Sequence, residues 1–193
     1  FFLDVKNNIY DFKDINFTTN KTDFVSKNLK VIQNKKDFLF EGDIQNKNSL
    51  LNNELLKLLN LNFKDLKFLD TNFTSYNKFS FNINNRLKIK DLIVASEIEI
   101  NQSGYLKPSL FNDYTPEINN IILIKDHKIK TKYKKEDFIL EGSGKIKFEK
   151  EFDDIKYKLR IKENDFNLFL NIELSELKLK SQKFLKSFFP KLN

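Results

Sequence analysis

The sequence predicts a mainly β protein whose core is an elongated, curved antiparallel sheet accompanied by one short helix. Three observations support this prediction: several runs alternate apolar and polar residues, charged and Asn residues separate those runs, and one hairpin sequence recurs. Alternation of this kind is typical of antiparallel strands with one solvated face, whereas parallel strands are covered on both faces and read as continuous apolar runs.

The clearest alternation extends from Lys78 to Lys90. The apolar residues occupy odd-numbered positions, and every even-numbered position is polar, which predicts one or two half-buried strands. The apolar positions of this run are Phe79, Phe81, Ile83, Leu87 and Ile89. The same pattern returns in residues 145–149, 156–162 and 168–174, so we expect strands in each of these ranges as well.

Turns are predicted at clusters of charged and Asn residues rather than at Gly and Pro. Residues 34–37, 134–137 and 162–165 each separate two alternating runs, and each cluster is followed by Phe. Asp and Asn favour turns because their side chains bond the nearby backbone. We therefore interpret the three clusters as hairpin tips.

One segment of the sequence is repeated. Lys36-Asp37-Phe38-Leu39-Phe40-Glu41-Gly42 matches Glu136-Asp137-Phe138-Ile139-Leu140-Glu141-Gly142, and an alternating run precedes each copy. A repeated hairpin is typical of an array of similar units rather than of a closed globule.

Two regions depart from the strand pattern. A short helix is predicted at about residues 49–60, where Asn48-Ser49 could cap the N-terminus and Leu51, Leu55, Leu58 and Leu59 share one face. A loop is predicted at about residues 101–117, where Gly104, Pro108 and Pro116 interrupt the alternation.

Composition limits the classes of function. The 193 residues contain no Cys and one His, and the four Gly cannot form a phosphate-binding loop. Lys, Asn, Ile and Phe are abundant, as in proteins of AT-rich genomes, so the net charge of +7 is only weak support for contact with anionic lipid or nucleic acid. No run approaches the roughly 18 apolar residues that a membrane span needs. The chain opens at Phe1-Phe2-Leu3-Asp4 and has no Met, so we expect residues 1–193 to be a single segment of a longer protein.

The search for catalytic residues predicts a protein that is not an enzyme and uses no cofactor or metal. His127 is interpreted as a surface residue in a turn, and Glu97 and Glu99 as residues of the wet face of a strand. Nucleic-acid binding is not expected, because lysines such as Lys156 and Lys158 alternate with aromatic Tyr157. A stacking platform needs both on one exposed face.

The apolar side of the predicted strands must be buried against something. One short helix is too small to cover it. The sheet could fold on itself as a sandwich or barrel, or it could form an open trough that holds apolar ligand. Scarce Gly and Pro favour an elongated trough over tight corners. The residues expected to line such a groove are Phe79, Phe81, Ile83, Leu87, Ile89, Phe138, Leu140, Ile146, Phe148, Tyr157, Leu159 and Ile161.

The run from Asp37 to Gly42, the leucines of 50–59 and the second hairpin at 137–142 resemble the AsmA-like proteins of Gram-negative envelopes, in particular the YhdP- and TamB-like members. The resemblance implies a repeating β-groove, anchored in the inner membrane by parts outside this segment, that carries phospholipid or another acyl lipid across the periplasm toward the outer membrane. It implies no catalytic residues.

Two alternatives stay open at this stage. The chain could be a structural or interaction module, a β-sandwich or β-solenoid with a conventional packed core, or it could resemble the lipopolysaccharide-bridge proteins. Sequence alone leaves the strand order, the particular lipid, the direction of transport and the oligomeric state undetermined.

Overall fold

The computed structural model describes residues 2–4, 8–19, 22–51, 68–69, 71–106, 121–148, 151–163 and 165–173. These residues form eleven β-strands. The strands are β1 (Phe2–Asp4), β2 (Ile9–Thr19), β3 (Thr22–Gln33), β4 (Asp37–Leu50), β5 (Phe68–Leu69), β6 (Asn72–Asn84), β7 (Ile89–Leu106), β8 (Ile121–Lys134), β9 (Asp137–Lys147), β10 (Asp153–Lys162) and β11 (Asp165–Glu173).

All eleven strands belong to one antiparallel sheet, which confirms the mainly β, antiparallel prediction. The strands pair in chain order, except that β5 pairs with β7. β5 and β6 pair with β7 in the same register, so β5 continues the line of β6 along β7. Among the described strands, only hydrogen-bonded neighbours have Cα atoms within 8 Å of each other. The described part of the chain is therefore one open sheet with two ends in its strand order.

The three predicted hairpin tips are confirmed. Lys134 pairs with Asp137, and Lys135 and Glu136 between them have φ values of 47° and 64°. Positive φ at both central positions is the geometry of a type I′ turn, which matches the twist of the flanking strands. The chain also turns between β3 and β4 and between β10 and β11. A further hairpin connects β6 to β7, which shows that the run from Lys78 to Lys90 contains two strands.

The repeated sequence corresponds to a repeated structure. Lys30 pairs with Glu41 across β3 and β4, and Lys130 pairs with Glu141 across β8 and β9. The two hairpins thus have the same register at the same points of the repeat. In each copy the glycine lies opposite an aromatic residue of the following strand: Gly42 faces Phe79 and Gly142 faces Tyr157.

Four strands contain an Asp or Asn residue in the left-handed conformation. Their φ values are 52° at Asp14, 46° at Asn48, 52° at Asp91 and 51° at Asp126. Asp and Asn adopt this conformation more readily than other non-glycine residues. Such a residue shifts the alternation of a strand by one position. An even-numbered residue on one side of it and an odd-numbered residue on the other can therefore point to the same face.

The predictions of a helix and a long loop are wrong where the structure describes those residues. Ser49 and Leu50 lie at the end of β4, where they pair with Phe73 and Asn72 of β6. Residues 52–60 of the predicted helix lie outside the described residues. The predicted loop begins at 101, but β7 continues to Leu106 and pairs with β8 over this range. Residues 107–117 lie outside the described part.

Few apolar side chains are buried. In the described ranges only Ile100 and Ile155 are buried, with 8% and 9% of their surface exposed. The fully buried side chains with the largest volume are polar or hydroxylated, among them Asn46 and Thr22. Since a packed core consists mainly of buried apolar residues, the described sheet lacks the core of a conventional two-layer domain.

Candidate functional site: the apolar face of the sheet

The predicted lining residues collect on one face of the sheet, which we call the apolar face. Register places all of them there except two. Leu87 is in the turn between β6 and β7 and is 84% exposed, so its prediction as part of a strand is wrong. Phe148 follows the last residue of β9 and is half-buried. The residues on the face are Phe79, Phe81, Ile83, Ile89, Phe138, Leu140, Ile146, Tyr157, Leu159 and Ile161.

One row of the apolar face crosses the nine long strands, with one residue in each. Every neighbour in the row is a register partner of the next, so the side chains lie side by side across the sheet. At about 4.8 Å between strands, the row is roughly 38 Å wide. It consists of Phe12, Leu29, Gly42, Phe79, Val94, Tyr133, Phe138, Ile161 and Phe166.

Aromatic rings stack on this face where strands meet. The rings of Phe40 and Phe81 are 5.1 Å apart and nearly parallel, at 8°, and Phe81 also stacks on Phe79 at 5.7 Å. Phe17 and Phe24 form a second stacked pair at 5.2 Å. These rings pack sideways against one another and remain half-buried or exposed, so part of each apolar surface stays open on the outer side.

The opposite face, which we call the charged face, carries a grid of ion pairs. Glu97, Lys130, Glu141 and Lys158 are consecutive register partners on β7, β8, β9 and β10. Lys130 lies 3.2 Å from Glu97, and Lys158 lies 2.6 Å from Glu141. Opposite charges on directly facing residues stabilise neighbouring strands modestly. As predicted, Glu97 belongs to a solvated strand face.

The grid continues toward the hairpin tips. Arg160 donates hydrogen bonds to both oxygens of Asp137, at 3.0 Å from Nε and 2.8 Å from Nη2. This hydrogen bond, together with the positive charge of Arg160, holds the pKa of the Asp137 carboxyl below its ordinary value. Glu99 pairs with Lys128 at 3.7 Å in a neighbouring row. These ion pairs neutralise part of the charged face, where lysines such as Lys132 and Lys156 remain outside the grid.

A polar island, formed by Asn46, Ser75 and Asn77, interrupts the apolar face on β4 and β6. Ser75 Oγ donates to Asn46 Oδ1, and Asn77 Nδ2 donates to Ser75 Oγ at 3.0 Å. Asn46 Nδ2 donates to the carbonyl oxygen of Phe73 at 3.1 Å. The island satisfies much of its own hydrogen bonding, so it behaves as an anchored polar patch between apolar regions. Sequence analysis missed it, although Ser75 and Asn77 share the parity of Phe79.

The prediction that His127 is a surface residue in a turn is wrong. It lies within β8, opposite Ile100, and only 5% of it is exposed. Its Nε2 is 3.1 Å from the hydroxyl of Tyr157, and the two rings stack at 5.6 Å. Burial lowers the pKa of His127 and raises the pKa of Tyr157 to about 12, because both charged forms lose hydration.

Two glycines of β9 make room for this pair of rings. A Cβ added to Gly142 would overlap the ring of Tyr157, and one added to Gly144 would lie 2.8 Å from the Cα of His127. The repeat has the same arrangement in its first copy, where a Cβ on Gly42 would lie 3.0 Å from Cζ of Phe79. Aromatic coverage of a strand glycine is therefore the shared feature of the two hairpins.

Two further features of the described residues concern metal binding and membrane spans. These residues include no cluster of three or more His, Cys, Asp or Glu side chains that could hold a metal ion. Within the same residues, no helix has the length and apolarity required to cross a membrane. The arrangement can hold an apolar ligand by contact along the apolar face, while the charged face remains hydrated.

No protein-family model, curated protein or solved structure matches this chain.

Proposed function

We propose that this chain is a segment of a periplasm-spanning lipid-transfer protein, whose apolar face carries phospholipid acyl chains between the inner and outer membranes. The observation that supports the proposal is the uncovered apolar face: its side chains pack sideways along one sheet, and no other described strand covers them. Apolar side chains that stay half-buried across several neighbouring strands leave surface that a ligand can cover.

The dimensions suit an acyl chain. The residues predicted from sequence to line the groove lie on β6, β7, β9 and β10, and with β8 between them they span five adjacent strands, roughly 19 Å at about 4.8 Å per strand. Each methylene group that leaves water is stabilised by about 0.8 kcal/mol, so a chain held along part of this width binds firmly. The headgroup would remain in water beyond the face. The proposed transfer requires no chemical step.

A packed β-sandwich is the alternative, and the described residues support it less well. A sandwich requires a second layer whose side chains interdigitate with Phe79, Phe81 and their neighbours. In the described residues, however, only Ile100 and Ile155 are buried apolar side chains, which is far fewer than interdigitated layers would bury. The periplasmic location and the inner-membrane anchor belong to the same proposal and rest on the resemblance to AsmA-like proteins.

The first experiment asks whether the purified chain carries lipid. We expect native mass spectrometry and solvent extraction to detect co-purified phospholipid, and a fluorescent acyl probe to bind and be displaced by phospholipid. Preparations without lipid that also fail to bind the probe would contradict the proposal.

Paired substitutions on β9 separate the two faces. Leu140 lies on the apolar face, and its neighbour Ile139 lies on the charged face between Lys132 and Arg160. We expect Leu140→Asp to abolish probe binding, because a carboxylate on the face repels acyl chains. Ile139→Asp should retain binding, since its charge faces two cations. Equal binding by both variants would argue against this face as the site.

Phe81→Asp distinguishes a trough from a sandwich. In an open layer the new carboxylate reaches water, so we expect a folded protein, by circular dichroism, that no longer binds lipid. In a sandwich the same carboxylate would be buried without a partner, and the protein would unfold. Unfolding of Phe81→Asp together with normal folding of Ile139→Asp would favour the sandwich.

A further inference from the structure

The hairpin between β6 and β7 has a leucine at its tip, which consists of residues 84–90 and which we call the β6–β7 tip. Leu87 is 84% exposed, the largest value among the exposed large apolar residues of the described ranges. Its φ is 57°, and among the nine described non-glycine residues with positive φ it is the only apolar one. Asparagine and glycine adopt this conformation at lower cost than a bulky side chain. Neither packing nor backbone preference therefore explains a leucine at this position.

The side chain of Asn84 fixes the shape of the tip. Its Oδ1 accepts hydrogen bonds from the backbone N–H groups of Arg86 and Lys88, both at 3.0 Å. The N–H of Leu87 donates to the carbonyl oxygen of Asn84 at 2.9 Å, and the N–H of Asn84 donates to the carbonyl oxygen of Lys88 at 3.2 Å. Because these hydrogen bonds hold the turn, little further ordering is needed when a partner covers Leu87.

Positive charge surrounds the leucine. The adjacent tip, between β3 and β4, lies beside the β6–β7 tip because Asp37 at the start of β4 pairs with Asn84 at the end of β6. Asp37 is the only acidic residue in 34–37 and 84–90. Clusters of Lys and Arg are attracted to anionic headgroups. The exposed cations of the two tips are Arg86, Lys88, Lys90, Lys35 and Lys36.

The apolar face extends to the β6–β7 tip. Ile89, the first residue of β7, pairs with Ile83 of β6 and is 58% exposed. The last pair between β7 and β8 joins Ile93 to Lys134, so residues 89–92 extend four positions past the end of β8. At about 3.4 Å per residue this is roughly 14 Å. The tip therefore projects beyond β8 and can approach a flat surface.

We propose that the β6–β7 tip docks on the surface of a lipid bilayer that carries anionic headgroups, with Leu87 inserted below the headgroups and Arg86 and Lys88 at their phosphates. A leucine between two long cationic side chains suits this boundary, because the apolar group leaves water while the charged ends stay at the headgroups. A protein partner would need a pocket shaped for this leucine, whereas a bilayer accepts it without one.

This docking places a membrane contact within the segment itself, in addition to any anchor outside it. It does not require lipid on the apolar face, because the tip and the face are different surfaces. Phe81→Asp, which should lose binding of the acyl probe, should therefore still bind vesicles. The two proposals can thus fail independently.

Vesicle flotation tests the docking. We expect the unmodified chain to bind vesicles of equal parts phosphatidylglycerol and phosphatidylcholine at least about tenfold more tightly than vesicles of phosphatidylcholine alone. Leu87→Asn keeps every charge and suits the positive φ, so it should unfold at an equal or higher urea concentration. It should nevertheless bind the mixed vesicles at least about tenfold more weakly, because no apolar side chain is inserted.

A matched control removes an exposed apolar residue elsewhere. Ile121 is 42% exposed and begins β8, at the end of that strand away from its hairpin tip. We expect Ile121→Asn to bind the mixed vesicles as the unmodified chain does. Equal binding of Leu87→Asn and the unmodified chain, or no binding of the unmodified chain to the mixed vesicles, would overturn the proposal. A leucine that serves a protein partner would give one of these results.

Fluorescence tests the insertion itself, because the chain contains no tryptophan. We expect the emission of Leu87→Trp to shift to shorter wavelength when the mixed vesicles are added, since the indole leaves water. Tyr76→Trp is the control: Tyr76 lies within β6 on the charged face, opposite Glu97, and its replacement should shift little. Equal shifts of the two variants would also overturn the proposal.

Discussion

The rings of His127 and Tyr157 meet above β9 on the apolar face. Where the rings meet, the only residues of β9 on that face are glycines. Gly142 and Gly144 leave the space that the two rings occupy, and the ring nitrogen and hydroxyl approach within hydrogen-bond distance at 3.1 Å. At the scale of single residues, the apolar face is thus shaped as much by missing side chains as by large ones.

Gly142→Ala should destabilise the protein, because the new methyl group overlaps the ring of Tyr157. Overpacking of this kind costs about 1–3 kcal/mol in the free energy of unfolding, measured by urea titration. In a Tyr157→Ala background the same substitution should cost little or be stabilising, since alanine suits a strand better than glycine. Equal costs in both backgrounds would show that the ring is not the obstacle.

His127 should make stability depend on pH. Burial lowers the pKa of its folded form below the ordinary value of 6.5, so the unfolded chain binds the proton more readily. This contribution to stability is complete above pH 6.5 and is lost as the pH falls from 6.5 through the lower folded-state pKa. Urea titrations on both sides of this window should show less loss for His127→Phe, which keeps a ring but cannot titrate. A loss equal to that of the unmodified chain would exclude His127 as the cause.

At the scale of elements, the charged face holds neighbouring strands in register. Glu141 stands between Lys130 and Lys158, and about half of each of these side chains or more is exposed. We expect Glu141→Lys to lower the free energy of unfolding by about 0.5–1 kcal/mol, because three cations then face one another. Roughly 0.5 M salt should remove most of this loss by screening. Glu141→Gln, which adds no repulsion, should be affected less by salt.

Strands and hairpins were predictable because their signals are local. Alternation identified both faces, and the charged clusters at 34–37 and 134–137 identified turns even without glycine. At the start of the predicted helix, Ser49 and Leu50 instead pair with β6, a contact that local pattern does not reveal. His127 was misplaced because the charged residues around it look like a turn, although they lie inside β8. Asp126, with φ of 51°, reverses the parity of the strand there. Ile124 and His127 consequently share the apolar face although three positions separate them.

At the scale of the whole molecule, the described sheet has central strands and two edge strands but no packed apolar core. β7 is the longest strand, and it is hydrogen-bonded on both sides, whereas β11 is bonded to β10 alone among the described strands. Hydrogen exchange measured by mass spectrometry should therefore show the slowest exchange in β7 and β8 and the fastest in the terminal strands. Uniform protection across all strands would indicate that another part of the chain covers the edges.

The shared register of the two hairpins also bears on how such a molecule can change in size. A closed barrel has a fixed number of strands, and a two-layer domain has a fixed interior volume to fill. A single layer held by adjacent pairing has neither requirement. Whole hairpins can therefore be gained or lost by duplication or deletion without a barrel to reclose or an interior to refill.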